Sequence, residues 1–382
     1  MFKYLITVQP LGLMYGSAGA FLSPENLVGR SGSKFPPDAA TLSGLFFSAN
    51  KDQQFANHEE LRDKLYVAGP FWSIVGNEEY FYVPLPRHKV IKENSSDKWL
   101  IKSHKWCLKS KVDSQENGNE KQRDDRDEDE SEYHWLKIDY WDDEPEDIRE
   151  AQTENPPSVA APCWEYVSIL HPHLKKNQRH VLPEDGLFLE NAVQMKEDTC
   201  LVYLSTYPLA KGWYQFGGES HMVEINSIKL PEDSPILEKL RTPIKRAFAL
   251  ITPGVWGSNY LSYRYPKPKQ HKFAADNNKV KLLTDKAVPY RYRIGYGDKK
   301  KEEFRTRTQG RLSRGRYAVP VGSVYVLPEP LNRTWCCYSE ESQESQEHEA
   351  TTFPKEWFPE KGLLKKFGCG LCLPIEIEGV DY

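Results

Sequence analysis

Two stretches of opposite charge restrict where this chain can build a core. Residues 113–154 hold 18 Asp and Glu against 5 Lys and Arg, and residues 264–316 hold 17 Lys and Arg against 5 Asp and Glu. Segments this polar bury too little apolar surface to offset the entropy lost on ordering. The acidic tract, with "RDDRDEDESE" at its centre, reads as a solvated, partly disordered insertion. Pro156, Pro157 and Pro162 then mark a return to ordered chain. A length of 382 residues suits two domains.

The first block opens with alternation. Phe2, Tyr4, Ile6 and Val8 alternate with Lys3, Thr7 and Gln9, the period of a strand. A long loop rich in Gly, Ser and Pro follows over 16–37. The segment 37–50, with Pro37 in its first turn and Ala40, Leu42, Leu45 and Phe46 apolar, predicts a helix. Residues 64–86 predict two strands around a turn at Gly76-Asn77. Further on, "LFLENAVQ", "CLVYLSTYPL" and "YQFGGESHMVEINSIKL" are strand-like runs within 187–230. Residues 234–246 read as a short helix or linker. "AFALITPGVWG", 247–257, reads as one continuous apolar strand, and "GCGLCLPIEI" as a last strand.

Charge places the chemistry. The net charge is only −4, but 264–316 carries an excess of +12 (17 − 5) and is interleaved with Tyr263, Tyr265, Phe273, Tyr290, Tyr292, Tyr296 and Phe304. Lys and Arg neutralise phosphates, and aromatic faces stack unpaired bases, so this composition points to single-stranded RNA. Two glycine sites, "FGGESH" with Gly217 and Gly218 and "TPGVWGS" with Trp256, would let a phosphate approach main-chain N–H groups. The stretch "RLSRGRYAVPVGSVYVL" sets Gly322 in a strand just after Arg311, Arg314 and Arg316. A glycine there suits either a bulge or a site where RNA or a neighbouring loop lies close.

Catalytic and metal patterns are absent: there is no HExxH, GxSxG or Walker motif. Cys369-x-x-Cys372 resembles half a zinc site, but adjacent Cys336-Cys337 is poor geometry for the other half. Seven scattered cysteines argue for a reducing compartment and against a disulfide framework. No signal-peptide pattern and no apolar run of bilayer length is present. The expectation is a soluble, cytoplasmic protein with no cofactor, no metal and no membrane partner.

Four motifs carry a family resemblance: the glycine-rich loop running into "FPPDAATLSGL", then "FGGESH", "ALITPGVW" and "VPVGSVYVL". In this order they resemble the Cmr-type RAMP-superfamily subunit of type III-B CRISPR effector complexes that binds the 5′ handle of the CRISPR RNA (crRNA). The likeness is weakest over 88–180 and absent over 335–360. It implies an α+β fold of tandem ferredoxin-like (RRM-like) RAMP domains with long inserted loops. One domain would span 1–232 with the acidic insertion, the other 240–382 with the basic aromatic insertion. It implies a non-catalytic scaffold that caps the crRNA 5′ handle and joins the large polymerase-like subunit to the backbone RAMP subunits. The expected RNA contacts are Arg30 and Lys34 in the first loop, Gly217, Gly218, Trp256, Arg264, Lys267, Arg291, Arg293, Arg311, Arg314, Arg316 and Gly322. Two alternatives stay open. One is a RAMP endoribonuclease that processes the crRNA precursor, with His58 or His221 as general base. The other is the equivalent scaffold of another type III subtype.

Overall fold

The computed structural model describes residues 2–14, 35–116, 130–172, 174–175, 180–181, 187–218, 220–266, 280–294, 311–335 and 351–380. The first half begins with β1 (Tyr4–Pro10), α1 (Ala39–Gln53), α2 (His58–Lys64), β2 (Val67–Ile74) and β3 (Tyr82–Pro84). It continues with β4 (Lys89–Ile91), β5 (Ser96–Lys102), β6 (Lys105–Leu108), α3 (Lys109–Glu116), β7 (Trp135–Lys137), α4 (Pro145–Glu150) and β8 (Val159–Ala160). Then come β9 (Trp164–Pro172), β10 (Leu187–Met195), β11 (Thr199–Ser205), β12 (Gly212–Phe216) and β13 (His221–Lys229). Among the described residues, eight of these strands form one sheet in the order β12-β13-β1-β11-β2-β3-β7-β8, with every pair antiparallel.

After α5 (Pro235–Arg241) the second half supplies β14 (Ala247–Leu250), β15 (Trp256–Gly257), β16 (Ser262–Tyr263), β17 (Lys281–Leu283) and β18 (Val288–Tyr290). It closes with β19 (Arg293–Ile294), β20 (Arg311–Leu312), β21 (Arg316–Ala318), β22 (Val324–Val326) and β23 (Cys372–Pro374). Four of these form a second antiparallel sheet, β17-β22-β14-β23. The class is α+β, mostly antiparallel, with few helices, as the family resemblance implied.

The strand–helix–hairpin opening holds. In α1 the apolar residues Ala39, Leu42, Leu45, Phe46 and Ala49 fall on one face and bury against Ile6 and Val8 of β1. Asn50 fixes the chain after the helix through two bonds to the Ala56 backbone, both 2.9 Å. The opposite face of β1 is not solvated, as simple alternation implied. Leu5 joins a second cluster that includes Phe248, Val324 and Tyr325 of the four-stranded sheet, and even Thr7 is buried. The eight-stranded sheet is therefore covered on both sides, by α1 and by the second half.

Three expectations need correction. The run 247–257 is not one strand. β14 stops at Leu250, where Ile251 and Thr252 both donate to the Leu371 carbonyl, and Pro253 has no N–H for a ladder. The run 214–230 folds back on itself at Gly217, in register Phe216↔His221. The acidic tract is largely structural. Its residues 135–137 are a strand of the main sheet, with Leu136 opposite Val83 and Val159, and Ile138, Trp141 and Ile148 are buried in the core. Averaging charge over 42 positions hid these apolar residues; the densest charge lies in 117–129, outside the described residues.

Candidate nucleic-acid interface

The basic segment becomes a two-stranded ribbon. β18 pairs with β21 (Tyr290↔Arg316) and β19 with β20 (Arg293↔Leu312), and the connecting residues 295–310 lie outside the described residues. One side of the ribbon is anchored. Tyr290, Tyr292 and Ala318 bury with Val255, Leu364 and Cys369, and Ala40 at the start of α1 packs against them. The Cys369 thiol donates to the Tyr290 hydroxyl at 3.2 Å, and burial pushes both tyrosine hydroxyls above their ordinary range. Tyr290 and Tyr292, expected as stacking platforms, are thus core residues. Tyr263 and Tyr265 are half-buried against the main core. Phe273, Tyr296, Phe304 and Lys267 lie outside the described residues.

The arginines separate by burial. Arg293 and Arg314 are exposed, and the Arg314 guanidinium sits 5.3 Å from the centre of the Tyr260 ring. Arg291 is half-buried and donates through Nε to the Ser313 carbonyl at 2.9 Å. Arg264 is exposed, and its carbonyl accepts the Tyr325 hydroxyl. Arg311 lies in β20 opposite Ile294. Arg316 is interior: it pairs with Glu360 at 2.6 Å and donates to the carbonyls of Ser258 and Asn259 at 3.2 and 3.4 Å. Trp256 is fully buried, its indole N–H on the Tyr325 hydroxyl at 3.1 Å. Both were expected at RNA; the structure gives them packing roles, because each finds its polar partners inside the fold.

The glycines mark where segments meet. A Cβ on Gly218 would lie 3.6 Å from Arg293 Nε, and one on Gly217 would lie 3.8 Å from the Thr41 side chain. The Gly217-Gly218 turn, the start of α1 and β19 of the ribbon are therefore neighbours. The first loop, with Arg30 and Lys34, lies outside the described residues but leads into this same helix. Gly322 answers to a different neighbour. It has φ +76°, and a Cβ there would fall 2.7 Å from the Leu85 carbonyl oxygen. Its own carbonyl accepts from Arg87 N at 2.9 Å, so the 85–87 loop of the first half fills the space.

Sequence reasoning missed Tyr260 and Tyr317, which are 77% and 61% exposed. Both flank the charge block, just outside 264–316. His58 is exposed at the start of α2, its ring 5.5 Å from Phe47, and His221 is half-buried opposite Phe216. Among the described residues, no three His, Cys, Asp or Glu are grouped to hold a metal ion, and no helix is long and apolar enough to cross a membrane.

Residues 12–377 match the model of a family described as CRISPR-associated protein (Cas_Cmr3). The chain belongs to this family. It is a Cmr-type RAMP subunit, and the family places it in the type III CRISPR effector machinery. A chain of the type III-B Cmr-beta complex bound to cognate target RNA and AMPPnP is similar over 84% of this chain and 86% of its own, at 12% identity and TM-score 0.45. A chain of the Csm3-Csm4 subcomplex of the type III-A interference complex is similar over 86% and 97%, at 11% identity and TM-score 0.34. A chain of the Csm1-Csm4 cassette in complex with pppApA covers 86% and 88%, at 10% identity and TM-score 0.35. No curated protein matches the sequence.

Proposed function

We propose that this chain is a non-catalytic, crRNA-binding scaffold subunit. It caps the repeat-derived 5′ handle and links the large polymerase-like subunit to the backbone RAMP subunits, with tandem RAMP units over 1–232 and 240–382. The observation that carries the reading is the meeting of the Gly217-Gly218 turn, the start of α1 and the basic ribbon. Over 280–294 and 311–316 the ribbon region holds seven Lys and Arg against one Asp. With Arg316 neutralised by Glu360, it still presents an excess of positive charge to a phosphate chain. The glycine turn sets main chain without a Cβ against the Arg293 side chain, so backbone N–H groups and a guanidinium stand close together for an anion.

The test is RNA affinity as a function of salt. With about four phosphates neutralised, log K against log[salt] for a single strand slopes at about −3. Arg293→Ala, Arg311→Ala and Arg314→Ala each flatten that slope by about one contact's share. A slope near zero for the wild type removes the electrostatic account. The same protein incubated with repeat RNA leaves it intact. Metal-independent scission lost in His58→Ala or His221→Ala would assign the processing nuclease instead.

A further inference from the structure

The turn between β15 and β16 is held with more interactions than its exposed position requires. A Cβ on Gly257 would fall 2.2 Å from the Leu261 carbonyl oxygen, so the turn closes this tightly only with glycine there. Ser258 Oγ accepts from the backbone N–H groups of Tyr260 and Leu261 at 3.2 and 3.1 Å. Asn259 Oδ1 accepts from Glu360 N at 2.6 Å, and Glu360 in turn binds Arg316, whose side chain is only 4% exposed. Arg316 completes the ring by donating to the carbonyls of Ser258 and Asn259. The buried Arg316 and the partly exposed Glu360 thus fix a surface turn, although desolvating the guanidinium is costly and the pair contributes little net stability by itself.

What the turn displays does not pack. Tyr260 and Leu261 are 77% and 58% exposed. Beside them on β21, Tyr317 is 61% exposed, and its backbone N–H bonds Ser262 Oγ at 3.2 Å. Arg314 lies over the Tyr260 ring within cation–π range. Exposed aromatic rings beside an unburied guanidinium, at the two ends of a segment of +12 net charge, match the chemistry of an unpaired nucleotide: a ring to stack and a phosphate to neutralise.

We propose that Tyr260 and Tyr317 form a base-stacking platform for single-stranded RNA, with Arg314 at the adjoining phosphate and the Arg316–Glu360 pair holding the platform in place. The inference rests on the RNA-binding reading and narrows it to named side chains. The stacked base is recognised by its π-face, so the platform tolerates any of the four bases.

The experiment uses the full chain and a labelled random-sequence 8-nucleotide RNA, with a version carrying abasic sites as the second probe. Tyr260→Ala and Tyr317→Ala each weaken binding of the intact RNA about tenfold, while Tyr→Phe at either position keeps it. The salt slope of the Ala variants equals that of the wild type, because no phosphate contact is lost, whereas Arg314→Ala flattens it. The wild type discriminates against abasic RNA, and the Ala variants lose that discrimination. Thermal melting of the tyrosine variants matches the wild type, as suits side chains that are mostly exposed. Ala variants that bind both RNAs as the wild type does, with its salt slope intact, overturn the platform and leave the RNA-binding reading standing. Ala variants with normal RNA affinity but failed assembly with a backbone RAMP subunit also overturn it, by showing the patch to be a protein contact. A wild-type chain that binds neither RNA overturns both readings together.

Discussion

Arg314, in the link before β21, and Arg316, the first residue of that strand, stand two positions apart and meet different surroundings. Arg314 points to solvent over Tyr260, while Arg316 is buried against Glu360 and two carbonyls. Removing Arg316 takes a buried side chain and its bonds to two carbonyls out of the fold and leaves Glu360, which is 24% exposed and so partly screened by water. Arg316→Ala is therefore expected to lower the denaturant-unfolding free energy by about 2 kcal/mol, less than the loss at a fully buried pair. Arg314→Ala should stay within about 0.5 kcal/mol of wild type, as exposed substitutions do, and its effect should appear in RNA affinity. Equal stability losses in the two variants would contradict this division. The sequence shows three arginines in a row of similar positions. It gives no sign that one of them meets Glu360, 44 residues further on, because that pairing is made by tertiary packing alone. Gly322 was legible as a position of close approach, though not what approaches it: the Leu85 carbonyl belongs to a loop more than 200 residues earlier.

At the scale of elements, α1 was readable because one apolar face met one core. The β2–β3 hairpin was readable as two apolar runs around a turn, although its strands are buried on both faces. The acidic tract was not, because a few apolar residues decide its fate among many charges. Its interior half also closes over a buried lysine from outside the tract. The ammonium of Lys89 in β4 donates to the carbonyls of Trp141 and Asp143 at 2.7 and 2.6 Å. Burial lowers its pKa from the ordinary 10.5 to about 8, against the pull of the carboxylates of Asp142, Asp143 and Glu144. A folded pKa below the unfolded one means that the unfolded chain binds more protons between these values. The burden of the buried charge is thus fully present below pH 8, and stability is recovered as pH rises toward 10.5. Against Lys89→Met as reference, in which other titrations cancel, the wild type should gain about 2 kcal/mol between pH 7.5 and pH 10. Urea unfolding of both proteins at the two pH values measures it. A constant difference would mean that Lys89 is solvated and that the acidic tract does not close over it.

For the whole molecule, the sheets divide by sequence but the core does not. The eight-stranded sheet draws on residues 4–229 and the four-stranded sheet on 247–374, yet one hydrophobic cluster contains Leu5, Phe71 and Trp141 together with Phe248, Tyr325 and Leu373. Backbones also interlock across the division. The Trp141 indole donates to the Pro374 carbonyl at 2.9 Å, and Ile101 N donates to the Glu378 carbonyl at 2.9 Å. A Cβ on Gly368 would lie 2.5 Å from Ala68 Cα, and one on Gly379 would lie 1.9 Å from the Ile101 carbonyl oxygen. Separately expressed fragments 1–232 and 240–382 would each expose a face of this shared core, at about 25 cal/mol per Å² of apolar surface returned to water. Exposed patches of that kind lead to association. The expected outcome is that neither fragment is soluble and folded alone, that the two recover a folded complex when produced together, and that the intact chain unfolds in one transition by tryptophan fluorescence and far-ultraviolet circular dichroism alike. Gly379→Val, which forces a side chain into the Ile101 backbone, should weaken that single transition as a whole and not one half of it. Two separate transitions, or a 240–382 fragment that folds and melts cooperatively by itself, would show that the halves are independent domains and that the contacts between them are incidental to stability.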